Sequence, residues 1–411
     1  MSGDLPQWEF VCQTCASRFP LGPRITGCPV CLQHGRSGLL ECERISGAVP
    51  RSLNHRGSAR GLPRYLDLLP CSAPQSWISL GEGGTALIPS KVVGPALGLK
   101  SLWFKLEQQN PTLSFKDRFV SMTVNAARTY GYKRAAVSST GNLGISAAAY
   151  CAAAGMECLV IVPDGTPESI VSEANLHGAR VVALDRSIRF RALEVVAEFV
   201  DWFPIGLFLN RPVQNPFGVE GYRTFAYECI EALGDSPAAM LFPCARGNGL
   251  YGAWKGFQDA LGWGWSARKT QMVGCQPSGA NSLDVSLRQG SDIAVELPPF
   301  DSIAKSVSEA VASDKALGAI RESRGTALAA SDDEIRQAFI LLGREGLNVE
   351  VGSALPVACL PRLLAAGGFT SEDPIVCVLT ATGLRWSEQA AWIPPNRSRV
   401  DSLEELKRVL R

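Results

Sequence analysis

The sequence predicts an α/β protein built on doubly wound parallel sheets, with a small cysteine-rich unit at its N-terminus. Three observations predict it. From Ser101 onward, short continuous apolar runs alternate with stretches of helical periodicity. Runs that are apolar on every residue read as strands buried on both faces, and their alternation with helices makes the strands parallel. The length of 411 residues exceeds a typical single domain, so two or more are expected. Finally, Cys12-Gln13-Thr14-Cys15 and Cys28-Pro29-Val30-Cys31 form a pair of CxxC turns with twelve residues between them.

The elements follow in order. Arg44 to Leu69 is rich in Gly, Pro and Arg and reads as an extended surface linker. Strands are expected at Arg134–Ser138, Glu157–Val162, Arg180–Leu184, Gly206–Leu209, Ala239–Phe242, Gln271–Gln276 and Ile375–Thr380. The nearly uncharged stretch Gly141 to Pro163 invites a membrane-spanning reading. Glu157 interrupts it, and it divides into an Ala-rich helix and a β-rich run, so a buried helix followed by a buried strand is expected. A helix is expected over Leu250–Leu261. Ser331-Asp332-Asp333-Glu334 is a capping box opening another. Asp401 or Ser402 caps a short amphipathic C-terminal helix containing Leu403, Leu406 and Leu410.

Lys+Arg 40 against Asp+Glu 39 leaves a net charge of +1, which suggests neither nucleic acid nor an anionic membrane as partner. The first residues lack a basic run and an apolar core, so no signal peptide is expected. Thirteen cysteines, mostly in apolar runs, fit reduced thiols in the cytoplasm. Cys12, Cys15, Cys28 and Cys31 can close a tetrahedral thiolate site with no open position, which makes the metal structural. The missing export signal argues against disulfides, and the doubled motif outside a βαβ context argues against a redox CxxC. Cys42 has the wrong spacing to join them, and His34 and His55 are expected at the surface.

The stretch Asn110-Pro111-Thr112-Leu113-Ser114-Phe115-Lys116-Asp117-Arg118 carries the chemistry. Ser114 is a good N-cap, and Phe115, Phe119, Met122, Ala126 and Tyr130 follow with helical spacing. Lys116 then falls in a first helical turn, where the partial positive charge of the helix end disfavours an ammonium. A lysine held neutral is a nucleophilic amine, suited to a Schiff base with an aldehyde cofactor.

This stretch resembles the lysine motif N-P-T-G-S-F-K-D-R of threonine synthases, which are pyridoxal-phosphate (PLP) enzymes of the tryptophan-synthase-β fold, fold type II. Further motifs appear in the same order. Ser79-Leu80-Gly81-Glu82-Gly83-Gly84-Thr85 is similar to "GEGGTPL", Ser138-Ser139-Thr140-Gly141-Asn142 to "STGN", Val349 to Ala354 to "VEPSSA", and Leu379 to Leu384 to "LTGHGL". The resemblance runs from about Cys12 to about Trp386. It implies two α/β subdomains with PLP in the cleft between them, over residues 101–390. A zinc ribbon would occupy residues 1–45, a linker and the first strands 46–100, and an extension with a short helix 391–411. It also implies a homodimer acting on a small amino-acid substrate.

The resemblance assigns roles residue by residue. Lys116 is the amine. Cys244-Ala245-Arg246-Gly247-Asn248-Gly249-Leu250 matches the phosphate loop, with Arg246, Gly247, Asn248 and Gly249 around the anion; the bland alternative is an ordinary strand–helix turn. Cys244 and Ala245 replace the usual Gly-Asn there. Thr380 matches the neutral partner of the pyridine nitrogen, which favours elimination or replacement over transamination; otherwise it is a buried threonine bonded to backbone. Asn142 matches the residue that bonds the ring hydroxyl. Ser139, Thr140, Gly141 and Asn142 would hold the substrate carboxylate, or serve only as a helix cap.

Two departures bear on the substrate. Threonine synthases commonly carry N-S-x-N-P-x-R-x-E-G, whose polar residues bind the substrate phosphate. Here Pro212-Val213 replaces Asn-Ser and Gly218 replaces the arginine, while Asn215, Pro216, Glu220 and Gly221 remain. Leu113 stands where the family has Gly, which predicts a narrower site near Lys116. Arg211, Arg223 and Arg246 are the candidate replacements for the lost cation. The readings are a PLP lyase or synthase performing β- or γ-elimination or replacement, an authentic threonine synthase, a cysteate-synthase-like enzyme, or a non-catalytic binding module.

Overall fold

Strands form where the apolar runs lie. The structure, a computed structural model, describes residues 7–23, 25–47, 49, 59–71, 74–139, 141–185, 188, 191–206, 215–386, 392–393 and scattered positions beyond. β1 (Gln7–Cys12), β2 (Arg18–Pro20) and β3 (Leu40–Ser46) make an antiparallel sheet in the order β2-β1-β3. Next, β4 (Leu87–Pro89) pairs antiparallel with β5 (Leu102–Leu106). β6 (Arg134–Ser138), β7 (Glu157–Pro163), β8 (Arg180–Leu184) and β9 (Trp202–Ile205) form a separate parallel sheet in the order β8-β7-β6-β9. The chain then returns to the first body. β10 (Ala239–Pro243), β11 (Gln271–Pro277), β12 (Thr326–Ala330) and β13 (Ile375–Leu379) complete a six-stranded sheet ordered β12-β11-β10-β13-β5-β4.

The central parallel strands of both larger sheets are buried on two faces. Along β10, Met240 and Phe242 enter one apolar cluster, and Ala239 and Leu241 enter another. Along β6, Ala135 and Val137 face one cluster and Ala136 the other. This is the period-two division that continuous apolar strands require. The expected buried helix is Asn142–Ala153, followed directly by β7. Among the described residues no helix is long and apolar enough to cross a membrane. The capping box at Ser331 and Glu334 opens the helix Asp332–Arg344.

Several boundaries differ from expectation. The strand expected at Gly206–Leu209 forms earlier, at Trp202–Ile205; the expected span beyond Gly206 lies outside the described residues. Pro204 obscured that strand, yet its run pairs along β6. The strands Leu102–Leu106 and Thr326–Ala330 were not expected. Lys105 interrupts the first, and small residues blunt the apolar signal of the second. The linker is not wholly extended. Arg44 to Ser46 belongs to β3, and Leu62–Leu68 forms a 3-10 helix whose Leu62, Tyr65 and Leu68 are buried. Of the expected C-terminal helix, Leu403 and Leu406 lie outside the described residues, Lys407 and Arg408 are helical, and Leu410 sits in a turn.

One buried ionic knot fixes the helix Lys116–Thr129 to the body. Arg118 is fully buried and donates from Nε and Nη2 to Glu107, both at 2.8 Å. It also donates from Nη1 and Nη2 to Glu228, at 2.5 and 2.8 Å, and from Nη1 to Thr224 Oγ1 at 2.7 Å. Lys105 Nζ reaches Glu228 Oε2 at 2.6 Å. Burial opposes the charge on Glu228, but Arg118 and Lys105 outweigh it and hold the carboxyl at about 2. Removing Arg118 leaves Glu107 without its ion pair and Glu228 with Lys105 alone. Arg118→Ala is therefore expected to cost about 3–5 kcal/mol, seen as a lower denaturant midpoint; an unchanged midpoint would contradict this role.

Candidate active site

The cleft opens at the C-terminal ends of parallel strands from both sheets, where open α/β sheets gather ligands. β6 ends in the turn of Ser139 and Gly141, β10 in the turn Cys244 to Gly247, and β13 at Thr380. All three meet around Lys116. Two segments are laced together by backbone bonds. Phe115 N donates to Thr380 O at 2.9 Å, Thr382 N donates to Leu113 O at 3.0 Å, and Ser114 bridges Ala381. Lys116 and Thr380 are thereby held in fixed register.

Lys116 is the first residue of its helix and lines the cleft. Its Nζ lies 4.4 Å from the centre of the Phe115 ring. Among the described residues it makes no hydrogen bond or ion pair. Burial lowers its pKa to about 8, partly offset by the charges of Glu350 and Glu309. The depression anticipated from the helix end therefore has another main cause, desolvation. Ser114 is not the cap. Phe115 holds the N-cap position, no side chain caps the helix, and Ser114 Oγ is buried without a partner. The bridge to Ala381 keeps Ser114 in extended pairing, one residue too early to cap.

The turn before the helix Asn248–Gly262 has the form of an anion cradle. Gly247 caps the helix with φ +81°, and no side chain occupies the first-turn N–H groups. A Cβ on Gly247 would lie 2.4 Å from Ala316 Cβ, so the turn closes only around glycine. Gly249 packs on Phe115, where a Cβ would come within 2.9 Å of the ring. This brings the cradle against the Lys116 helix. Arg246 lines the cleft and lies 3.6 Å from Glu309.

The polar groups opposite are paired in ways the sequence did not disclose. Thr380 Oγ1 lies 2.9 Å from Ser353 Oγ, so it is bonded to a side chain rather than to backbone. Asn142 Nδ2 donates to Glu350 at 2.8 Å, and its Oδ1 accepts from Arg385 at 3.2 Å. Arg385 also grips Glu173 through two donors, at 2.8 and 2.5 Å. Burial raises the Glu350 carboxyl, against the pull of Ser306, Asn142 and Lys116. Glu350 and Ser353 lie in the motif Val349 to Ala354, but spacing alone assigned them nothing; Glu309 and Arg385 carried no signal.

Of the expected site residues, Lys116, Ser139, Gly141, Asn142, Arg246, Gly247, Asn248, Gly249 and Thr380 all line one cleft. Thr140 lies outside the described residues. Two buried side-chain oxygens on the wall, Ser138 Oγ and Asn248 Oδ1, have no partner, as a cavity built for a polar ligand leaves them. An unpaired amine, an anion cradle and a neutral hydroxyl pair are the donor set that pyridoxal phosphate requires, so the residues fit that cofactor.

The family model described as pyridoxal-phosphate dependent enzyme matches residues 78–381. The chain belongs to that family. Members of it named threonine synthase include one from Methanocaldococcus jannaschii, 33% identical over 357 residues, covering 85% of this chain and 87% of the relative. Another, from Mycobacterium bovis, is 31% identical over 354 residues and covers 86% and 96%. Solved structures in this fold include maize serine racemase, with a TM-score of 0.64 at 19% identity over 80% of this chain and 94% of that one. The processed form of threonine deaminase isoform 2 from Solanum lycopersicum gives 0.62 at 21% identity, covering 75% and 89%. The family makes this a PLP-dependent enzyme of the lyase and synthase type.

Two expectations about this family member need correction, and a third lies beyond the described residues. Leu113 does not narrow the cleft. Its side chain is exposed, and its cost is backbone strain, with φ +59° in the left-handed region that suits glycine. Arg223 is buried in ion pairs with Glu220 and Asp259, away from the cleft, and so replaces no phosphate ligand. Arg211, Pro212 and Val213 lie outside the described residues.

The four ribbon cysteines form a second cluster. Their sulfurs lie within 4.8 Å of one another, with Cys12–Cys31 and Cys15–Cys28 each at 3.7 Å. A Cβ on Gly38 would lie within 2.8 Å of two of those sulfurs, so only glycine fits beside them. Cys42 is buried elsewhere, near Pro216 O, and His34 is exposed; His55 lies outside the described residues.

Proposed function

We propose that this enzyme catalyses β- or γ-elimination or replacement on an amino acid bearing a leaving group, with Lys116 holding the cofactor and moving the α-proton. One observation carries the reading: a desolvated, unpaired amine with a pKa of about 8 faces a phosphate cradle and a neutral hydroxyl pair across one cleft. When bound, pyridoxal phosphate supplies the electron sink for the carbanion formed at the substrate Cα.

The residues divide the work. N–H groups of Gly247, Asn248 and Gly249, with the Arg246 guanidinium, hold the cofactor phosphate. Asn142 bonds the ring hydroxyl, its amide oriented by Glu350 on one side and Arg385 on the other. Thr380, backed by Ser353, gives the pyridine nitrogen an uncharged partner. That leaves the sink weaker than a carboxylate would make it, which favours loss of a leaving group over transamination. Ser139, Thr140 and Gly141 receive the substrate carboxylate at the helix Asn142–Ala153. Lys116 Nζ takes the proton from Cα and returns it, and a pKa near neutrality suits both steps. Authentic threonine synthase activity is the second reading, favoured by the relatives of that name.

Lys116→Ala is expected to abolish turnover and the visible absorbance of bound cofactor. Normal turnover by that variant would remove this lysine from the mechanism.

The cysteine cluster is the proposed zinc site. Four Zn–S bonds of about 2.3 Å span a tetrahedron with edges of about 3.8 Å, close to the two 3.7 Å separations. The ribbon is far from the cleft in sequence but not in space. Glu41 on β3 accepts from Tyr251 at 2.7 Å and lies 3.4 Å from Lys315, on the two helices behind the cradle. Metal analysis is expected to find one zinc per chain, and Cys12→Ser to lose it and lower thermal stability. Protein purified without chelator and free of zinc would defeat the assignment.

A further inference from the structure

We propose that the cleft selects amino acids whose side chain and leaving group are uncharged, and that Phe119, seated on Gly218, is the specificity-determining residue. The inference rests on the cofactor reading above and names the substrate class for that site. Two independent observations support it, one steric and one electrostatic.

Phe119 follows Lys116 by three residues on the same helix, so both side chains lie on one face. Both line the cleft. Behind the ring is Gly218, buried at the start of the 3-10 helix Gly218–Arg223. A Cβ built there would lie 2.5 Å from Phe119 Cε2 and 2.6 Å from its neighbours, so the ring rests directly on glycine backbone. Tyr222 continues the wall. It stacks on Phe115 at 5.3 Å and 22°, and lies 6.0 Å from Phe119. The face beside the reactive amine is thus an aromatic surface. In the resemblance to the threonine synthase motif, Gly218 stands where the phosphate-binding arginine would be. No arginine could be added there while Phe119 keeps its place.

The charges point the same way. Among the described residues lining the cleft, Lys116 and Arg246 are positive and Glu309 and Glu350 negative. Arg246 belongs to the cradle and is already close to Glu309. Lys116 is committed to the cofactor. Among the described residues, the cofactor phosphate then uses the remaining positive potential of the cleft. A phosphorylated substrate would bring a further charge of about −1.5 to −2 into a cleft that offers it two carboxylates and an aromatic wall. A serine- or threonine-like substrate brings no such charge.

The test uses the holoenzyme with L-serine, L-threonine, O-phospho-L-serine and O-phospho-L-homoserine, following the spectrum of the bound cofactor and steady-state turnover. The uncharged pair is expected to exceed the phosphorylated pair by ~100-fold or more in kcat/KM. Phosphorylated substrates turned over as well as the uncharged pair, or better, would overturn the inference while leaving the cofactor reading intact. A spectrum that none of the four perturbs, with no turnover, would overturn the inference, and a protein that takes up no cofactor would overturn both. The double variant Phe119→Gly, Gly218→Arg removes the ring and supplies a bidentate phosphate ligand. It is expected to shift the preference toward the phosphorylated pair by about tenfold or more. A folded, cofactor-loaded double variant with the wild-type preference would also count against Phe119.

Discussion

The buried ion pairs of Arg118 set the geometry on which the cleft depends. Three consecutive residues, Lys116, Asp117 and Arg118, begin one helix and meet opposite fates. Arg118 is saturated by Glu107, Glu228 and Thr224. Asp117 accepts from Thr112 N at 2.7 Å and Ser146 Oγ at 2.6 Å. Among the described residues, Lys116 has no such partner. The helix cannot rotate to give it one without unmaking the other two sets. Such a knot is weak evidence for net stability, because desolvating the charges opposes their attraction. Its value is positional: it holds an amine in an apolar setting that would otherwise be relieved by movement toward a carboxylate.

The rest of the cleft answers the same constraint. The small parallel sheet delivers Ser139 to Asn142, and the large one delivers the cradle and Thr380. Arg385 joins the two bodies, since it binds Glu173 on the helix Glu168–Leu176 and Asn142 on its neighbour. Asn142 is thereby fixed from both sides, its donor toward Glu350 and its acceptor toward Arg385. The N-terminal ribbon supports the back of the cradle through Glu41. A structural metal there would stiffen an element two packing layers from the chemistry.

Much of this was legible from local pattern. A lysine after an extended turn, glycines at a strand–helix junction and paired CxxC turns each carry their chemistry within a few residues. The partners could not be read that way. Ser353 meets Thr380 across 27 positions, Glu350 meets Asn142 across 208, and Glu309 reaches Arg246 only because the chain folds back. Ser114 misled because a capping side chain and an extended bridge compete for the same residue, and tertiary pairing with Ala381 won. Leu113 misled in the other direction: the glycine preference there reflects backbone conformation, not space. Gly218 read as a missing arginine, and its contact with the Phe119 ring lay beyond the reach of local pattern.

The most direct measurement is chemical trapping. Borohydride reduction of the holoenzyme fixes a cofactor–lysine bond permanently, and peptide mass mapping then locates it. Lys116 lines the cleft and is the proposed reactive amine, so the phosphopyridoxyl mass is expected on the peptide containing Lys116 and on no other. A label on Lys105 or Lys255, both buried in ion pairs, or no label on a cofactor-loaded protein, would contradict the placement of the reactive amine.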